Sequence, residues 1–503
     1  MSELSYLRLL NAAAPETIVV AGGLAALLVD LVMMRGESAR PRWAIGGAVA
    51  SLGCVGALLW LVNVPDAARV LEGALVVDPL TRLVKGALLV LGLCAVGSSV
   101  RAGFTRHVGE YYALLMLAVA GMMLLAGTEE LLLMFLALEL SSVSLYVLTA
   151  FDQRKPAAAE AGLKYFLIGS VAAAFLLFGL SLLYGLSGAT NLTRLAAGLQ
   201  GKAGDPLLAV ALAMVLVGFG FKVAAVPFHL WAPDAYQGAP LPVAALVASG
   251  SKVASFYLLA KLLALGFAGV EGSSAWGRFA PGWMPMLAAV AVASMLLGNV
   301  AALAQRDVRR LLAYSAIAHG GYVLVGLQGL GYAAGRAPAM AALTYYLTTY
   351  GLTVCGAFGV LHVLERQGVG TDLDALAGLR QRAPFLAWCL AVFLLALAGI
   401  PPLAGFFAKF YVFTVAVGAD AKSLGLLWLV VLAVAFSTIS LYYYLQVLRQ
   451  AWLPADERAS SRLELDPLEV LTLGAAAVGV VVLGAVPELL LGPARAAIRA
   501  GGW

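Results

Sequence analysis

Polar residues in this chain are gathered into short clusters, and between them lie apolar runs of roughly 18–30 residues. A bilayer core of about 30 Å is crossed by about 20 residues rising 1.5 Å each in an α-helix. The pattern predicts fourteen spans: 16–34, 43–63, 77–99, 110–127, 129–151, 160–186, 206–226, 241–266, 283–305, 307–330, 338–364, 384–413, 423–448 and 467–491. The runs are too long for strands of a lipid-facing barrel and lack alternation of period two, so each is read as a helix. Connections are short, with no Pro/Ser-rich linker. Residues 1–503 are therefore read as one all-α polytopic membrane domain.

Composition narrows the picture further. Of 503 residues, 62% are hydrophobic and 12% charged, against about 25% charged in soluble domains. So few charges cannot cover a soluble surface, and so apolar a chain is not disordered. The net charge of +5 is too small to suggest nucleic acid. Cys54, Cys94, Cys355 and Cys389 stand alone inside apolar runs with no metal-ligand spacing, and are read as packing residues. The first residues lack a basic start before an apolar core, so no cleaved signal peptide is expected.

Basic residues in the loops give the orientation. One side holds 16, including Arg35, Arg101, Arg154, Arg306, Arg380 and Arg458; the other holds 9, including Arg69, Arg194, Lys202 and Lys422. The richer side is expected to be cytoplasmic, which leaves both termini outside.

The remaining seven basic residues fall within spans: Arg82, Lys85, Lys164, Lys222, Lys252, Lys261 and Lys409. Six of nine lysines are intramembrane but only one of 23 arginines is. Arginine stays charged anywhere, whereas a desolvated lysine can release its proton. Each midplane charge costs about 2.5–3.5 kcal/mol on insertion scales, so keeping several points to proton handling. Glu139, central in FLALELSSVSLY, and Lys252, in ASGSKVASF, are candidate functional groups, the alternative being residues that pin helix packing. Lys261 is expected to snorkel near the outer end of its span. Glu160 and Lys164 form an i,i+4 pair, either a helix salt bridge or the mouth of a proton path. Asp78, Arg82 and Lys85 share one helix face and are expected to neutralise each other.

Two spans contain breaks. GFGFKVAAVPFHLWAPDAYQGAP places Lys222 before Pro227, His229 and Pro233, and ALAGIPPLAGFFAKFYVF places Pro401, Pro402 and Gly405 beside Lys409. Proline frees backbone carbonyls that then need partners or water. Spans 4–8 (110–266) and 9–13 (283–448) form two blocks of five, with the broken helix fourth in each. Spans 1–3 (16–99) precede them and span 14 (467–491) follows. A repeat with an odd number of helices sits inverted in the membrane. Span 10 then matches span 5, giving His319 a mid-helix place comparable to that of Glu139. A histidine there can relay protons or simply be hydrogen-bonded packing.

The run PFHLWAPDAYQGAPLPV, followed by SKVASF, resembles the antiporter-like subunits of respiratory complex I over essentially the whole chain. PDAYQGAPLPV and a lysine at 409 are similar to the N-type branch rather than the L and M types, and no long lateral helix is expected. The resemblance implies two inverted five-helix repeats, broken helices 7 and 12, and a proton path through Glu139, Lys164, Lys222, Lys252, His319 and Lys409. It also implies that FMN, iron–sulfur clusters and quinone belong to other subunits, with no cofactor or metal in this chain. Partners would be the other membrane-arm subunits, lipid, protons and water, in a bacterial inner membrane. The expected switch is an ion pair of Glu139 and Lys222 that opens and closes. A cation/proton antiporter subunit and a non-pumping scaffold remain the alternatives.

Overall fold

A computed structural model describes residues 3–63, 68–420, 423–454 and 462–502; Lys422 and Arg458 of the charge count lie outside them. Among the described residues, 12 helices are long and apolar enough to cross a membrane, and they coincide with spans 1–6, 8–11, 13 and 14. Spans 7 and 12 are each built from two pieces, Pro206–Lys222 with Trp231–Gly238 and Pro384–Ala398 with Ala404–Ala419. Both expected breaks are therefore present, and they lie at the prolines.

Carboxylates set several helix starts by accepting backbone N–H groups that have no partner within the helix. Asp78 accepts from the N–H of Thr81 at 2.6 Å and starts the third span at Pro79, two residues later than hydropathy alone places it. Asp307 does the same for the tenth span, and Asp466 with Glu469 forms a capping box on the fourteenth.

The spans divide into a shell and a centre. Spans 1, 2, 6, 9, 13 and 14 bury less than half of their most apolar stretch, whereas that of span 8 is entirely buried and those of spans 10 and 11 nearly so. A helix with no lipid face can carry polar groups wherever the protein supplies partners. Span 8 bends at Ser249, between Leu241–Ala248 and Gly250–Lys261.

Short or amphipathic elements escaped the hydropathy pattern, and three of them lie on the outer side by the loop-charge reading. These three are the antiparallel hairpin Ala68–Val70/Leu75–Val77, the helix Leu192–Leu199 and the C-terminal helix Glu488–Gly501.

Candidate functional site

The first break begins at Lys222, the last residue of its helix piece. Ala224 adopts a left-handed φ of 57° and the Val226–Pro227 peptide is cis. The backbone groups released here find other partners. Trp231 donates its indole N–H to the carbonyl of Phe221 at 3.0 Å, and the N–H of Ala225 donates to Gly220 at 2.7 Å. The N–H of Val226 donates to Ser294 Oγ on span 9 at 2.9 Å. Lys222 takes no part in these repairs. Its Nζ donates to Ser142 Oγ on span 5 at 2.7 Å.

Ser142 follows Glu139 by three residues, one helical turn, so the two share a face. Glu139 Oε1 is buried and meets no donor, and no direct ion pair joins it to Lys222. The expected pair is thus open in this structure, with Ser142 holding the amine.

The second break is repaired differently. Gly399, at φ 88°, ends the helix piece Pro384–Ala398 in a left-handed turn that favours glycine. The Pro401–Pro402 peptide is cis. Lys409 reaches back across the break and donates to the carbonyl of Ala398 at 3.0 Å and to Ser437 Oγ at 2.8 Å. Its ammonium lies 5.2 Å from the centre of the Tyr322 ring. Gly405 permits this closure, since a Cβ there would stand 1.8 Å from the carbonyl oxygen of Ala396. A cavity of about 330 Å³ lies beside Lys409, lined by Phe406, Phe413, Ser437 and Thr438 among others.

The enclosed spans hold the middle of the site. Lys252 donates to the carbonyl of Ala316 on span 10 at 2.5 Å. His319, three residues on, is held at Nδ1 by Tyr346 Oη at 2.7 Å and at Nε2 by Tyr444 Oη at 3.3 Å. Tyr444 also bonds Ser315. Tyr322 packs against the His319 ring with centroids 5.6 Å apart and accepts from Asn299 at 3.0 Å. Lys252, His319 and Lys409 are thereby gathered around span 10. Sequence reasoning missed Ser142, Tyr346, Ser437 and Tyr444, whose hydroxyls come from other spans.

Lys164 lies apart from this line. It is half exposed and bonds Glu160 at 2.6 Å and Asp234 at 2.8 Å. Asp234 also pairs with Arg310 at 2.6 Å. Arg310 bonds Gln237 at 2.9 Å, and Gln237 bonds Asp307 at 3.1 Å. This polar network ties span 6 to the second piece of span 7 and to the start of span 10. Asp234 belongs to the quoted PDAYQGAPLPV run, which was the available signal.

Two expectations are corrected. Lys261 does not snorkel: its side chain is 0% exposed, 3.6 Å from Glu129, and it donates to the carbonyl of Ala126 at 3.3 Å. Span 8 has no lipid face, so its end offers no interface to reach. Nor is Lys85 neutralised on its own helix face. It pairs with Glu16 of span 1 at 2.6 Å, while Asp78 caps the helix. The six intramembrane lysines therefore split evenly. Lys85, Lys164 and Lys261 meet carboxylates, whereas the hydrogen bonds of Lys222, Lys252 and Lys409 among the described residues go to hydroxyls and carbonyls.

Fourteen spans, two of them broken at prolines, are the architecture of the antiporter-like membrane subunits. The chain belongs to the family described as NADH:quinone oxidoreductase/Mrp antiporter, TM, matched over residues 128–440. It is similar to NADH-quinone oxidoreductase subunit N 2 of Acidobacterium capsulatum, with 48% identity over 98% of this chain and 99% of that one. It is also similar to NADH-quinone oxidoreductase subunit N of Trichlorobacter lovleyi, with 34% identity over 97% of each. Among solved structures, a chain of respiratory complex I from Thermus thermophilus with bound aureothin superposes with a TM-score of 0.76 and 35% identity, covering 95% of this chain and 98% of that one. A chain of the Mrp complex from Dietzia sp. shares the fold, with a TM-score of 0.80 at 22% identity over 97% of each.

Proposed function

We propose that this chain is a membrane-arm subunit of a proton-translocating NADH–quinone oxidoreductase, and that it moves protons outward through Glu139, Lys222, Lys252, His319 and Lys409. Electron transfer from NADH through flavin and iron–sulfur clusters to quinone belongs to other subunits. Lys164 and its network serve the cytoplasmic mouth. The membrane is a bacterial inner membrane with both termini outside, as the loop charges suggest. The two five-helix blocks act as inverted copies, each contributing one half-path.

One observation carries this reading: among the described residues, three buried lysines form no ion pair with a carboxylate. A buried ammonium with only neutral partners is poorly compensated, so its neutral form is within reach. A scaffold would have no use for such groups. Bringing Glu139 toward Lys222 stabilises the ammonium, and withdrawing it favours release to the next acceptor. Lys252 and His319 then carry the proton laterally, and Lys409 sits beside the outer half-path. Glu139 lies on the turn between Leu136 and Val143, which are 53% and 52% exposed. The switch is thus at the edge of an outward apolar stripe, where a neighbouring membrane-arm subunit can move it.

Substituting Glu139→Ala in the assembled complex and measuring proton pumping against quinone reduction tests the reading. The expected outcome is fewer protons moved per electron pair. Unchanged pumping and turnover would refute the switch.

A further inference from the structure

We propose that Lys261 and Glu129 form an outward proton-release gate in the first half of the chain, closed over by the hairpin that follows span 2. This rests on the proton-translocating function above and adds an exit that the line of unpaired lysines does not include.

The gate is read from one carboxylate with two different neighbours. Glu129 is itself 2% exposed. Its Oε1 lies 3.6 Å from the fully buried Lys261, and its Oε2 lies 3.4 Å from Arg69, which is 61% exposed. One acid therefore faces the interior through one oxygen and the surface through the other. The contact of Oε1 with Lys261, at 3.6 Å, is a loose ion pair. The pair Lys85–Glu16 gives the contrast: it closes to 2.6 Å with both side chains buried, as a packing contact should.

Lys261 also lies on the right helix. It follows Lys252 by nine residues, which places it roughly 13 Å farther along span 8. It therefore continues from the proposed path toward the face bearing the loop between spans 4 and 5. Above Glu129 the chain is held under strain. Leu71 and Glu72 adopt positive φ values of 52° and 57°, a region sparsely populated by non-glycine residues. Gly73 follows at φ 96° and accepts the N–H of Glu129 at 2.9 Å. Asn191 fixes this turn by donating to the carbonyl of Glu72 at 2.6 Å. On the outer side lies a cavity of about 420 Å³ lined by Glu72, Glu130, Asn191 and Arg194. Buried amine, bridging acid and exposed arginine thus follow one another outward.

The transfer balances without any co-reactant. An N–H bond of the Lys261 ammonium breaks as an O–H bond forms on Glu129 Oε1, leaving a neutral amine and a neutral acid. The acid then releases its proton to outer water and is drawn to Arg69 as a carboxylate. Lys261 is reprotonated from the Lys252 side, and the ion pair re-forms.

The test uses the assembled complex in sealed vesicles, with protons moved per electron pair as the readout and Glu139→Ala as the reference. Glu129→Gln and Lys261→Arg are both expected to lower the ratio as far as Glu139→Ala does, at normal assembly. Lys261→Arg keeps the charge and the pair but cannot surrender a proton, so full activity in that variant would mark the pair as structural and overturn the gate. If Glu139→Ala lowers the ratio while both gate variants leave it intact, the gate fails and the pumping function stands. If Glu139→Ala changes nothing, the pumping function fails and takes the gate with it. Should Glu129→Gln or Lys261→Arg not assemble, Glu129→Asp decides. Its shortened carboxylate slows pumping by about twofold or more under this proposal, and unchanged pumping in that variant overturns it.

Discussion

Lys222 and Lys409, in spans 7 and 12, each stand beside a proline break, yet the two breaks use them in opposite ways. At the first, the indole of Trp231 takes the carbonyl that the break frees, and Lys222 is left to a single serine hydroxyl. At the second, Lys409 itself takes the freed carbonyl of Ala398 and has Ser437 besides. The first break leaves its amine to one hydroxyl, and the second ties its amine to the integrity of the helix.

The glycines that let the chain close at each break give the largest expected contrast. A Cβ on Gly405 would stand 1.8 Å from a backbone oxygen, whereas one on Gly220 would meet the ring of Phe228 at 2.5 Å. Backbone cannot step aside and a side chain can. Gly405→Ala should abolish recovery of assembled complex, and Gly220→Ala should leave most of it. Comparing the yields of the two variants after membrane extraction checks this. Equal yields would mean that the second break is no more rigid than the first.

A smaller contrast concerns the hydroxyls. Removing the only partner of a buried polar group costs about 1–3 kcal/mol, and removing one of several costs less. Ser142→Ala should therefore slow pumping several-fold, because Lys222 Nζ has no other hydrogen bond among the described residues. Ser437→Ala should slow it by less than about twofold, because Lys409 keeps the carbonyl of Ala398 at 3.0 Å. Initial rates of vesicle acidification in the two variants decide the order, and a reversed order would break the comparison.

The fold was legible in the sequence because membrane spans are a local signal. Apolar length alone marks a helix, and Pro227, Pro401 and Pro402 mark its interruptions. The identities of Glu139, Lys222, Lys252, His319 and Lys409 were legible for a related reason: ionisable residues inside apolar runs stand out. Their partners were not legible. Ser142 for Lys222, Tyr346 and Tyr444 for His319, Asp234 for Lys164 and Glu16 for Lys85 come from other spans, and no periodicity carries that pairing. Lys261 was misread on physical grounds that can be stated. Snorkelling assumes that a helix has a lipid face, and enclosure of span 8 is a property of the bundle rather than of residues 241–266.

Under the proposed function Glu139 and Lys222 act as one switched pair, although they do not touch in this structure. The most direct test is a double-mutant cycle on protons moved per electron pair, with Glu139→Gln, Lys222→Met and both together in the assembled complex. If the two act as one device, the double variant loses no more than the more severe single variant. Losses that multiply independently would show two separate functions and contradict the switch.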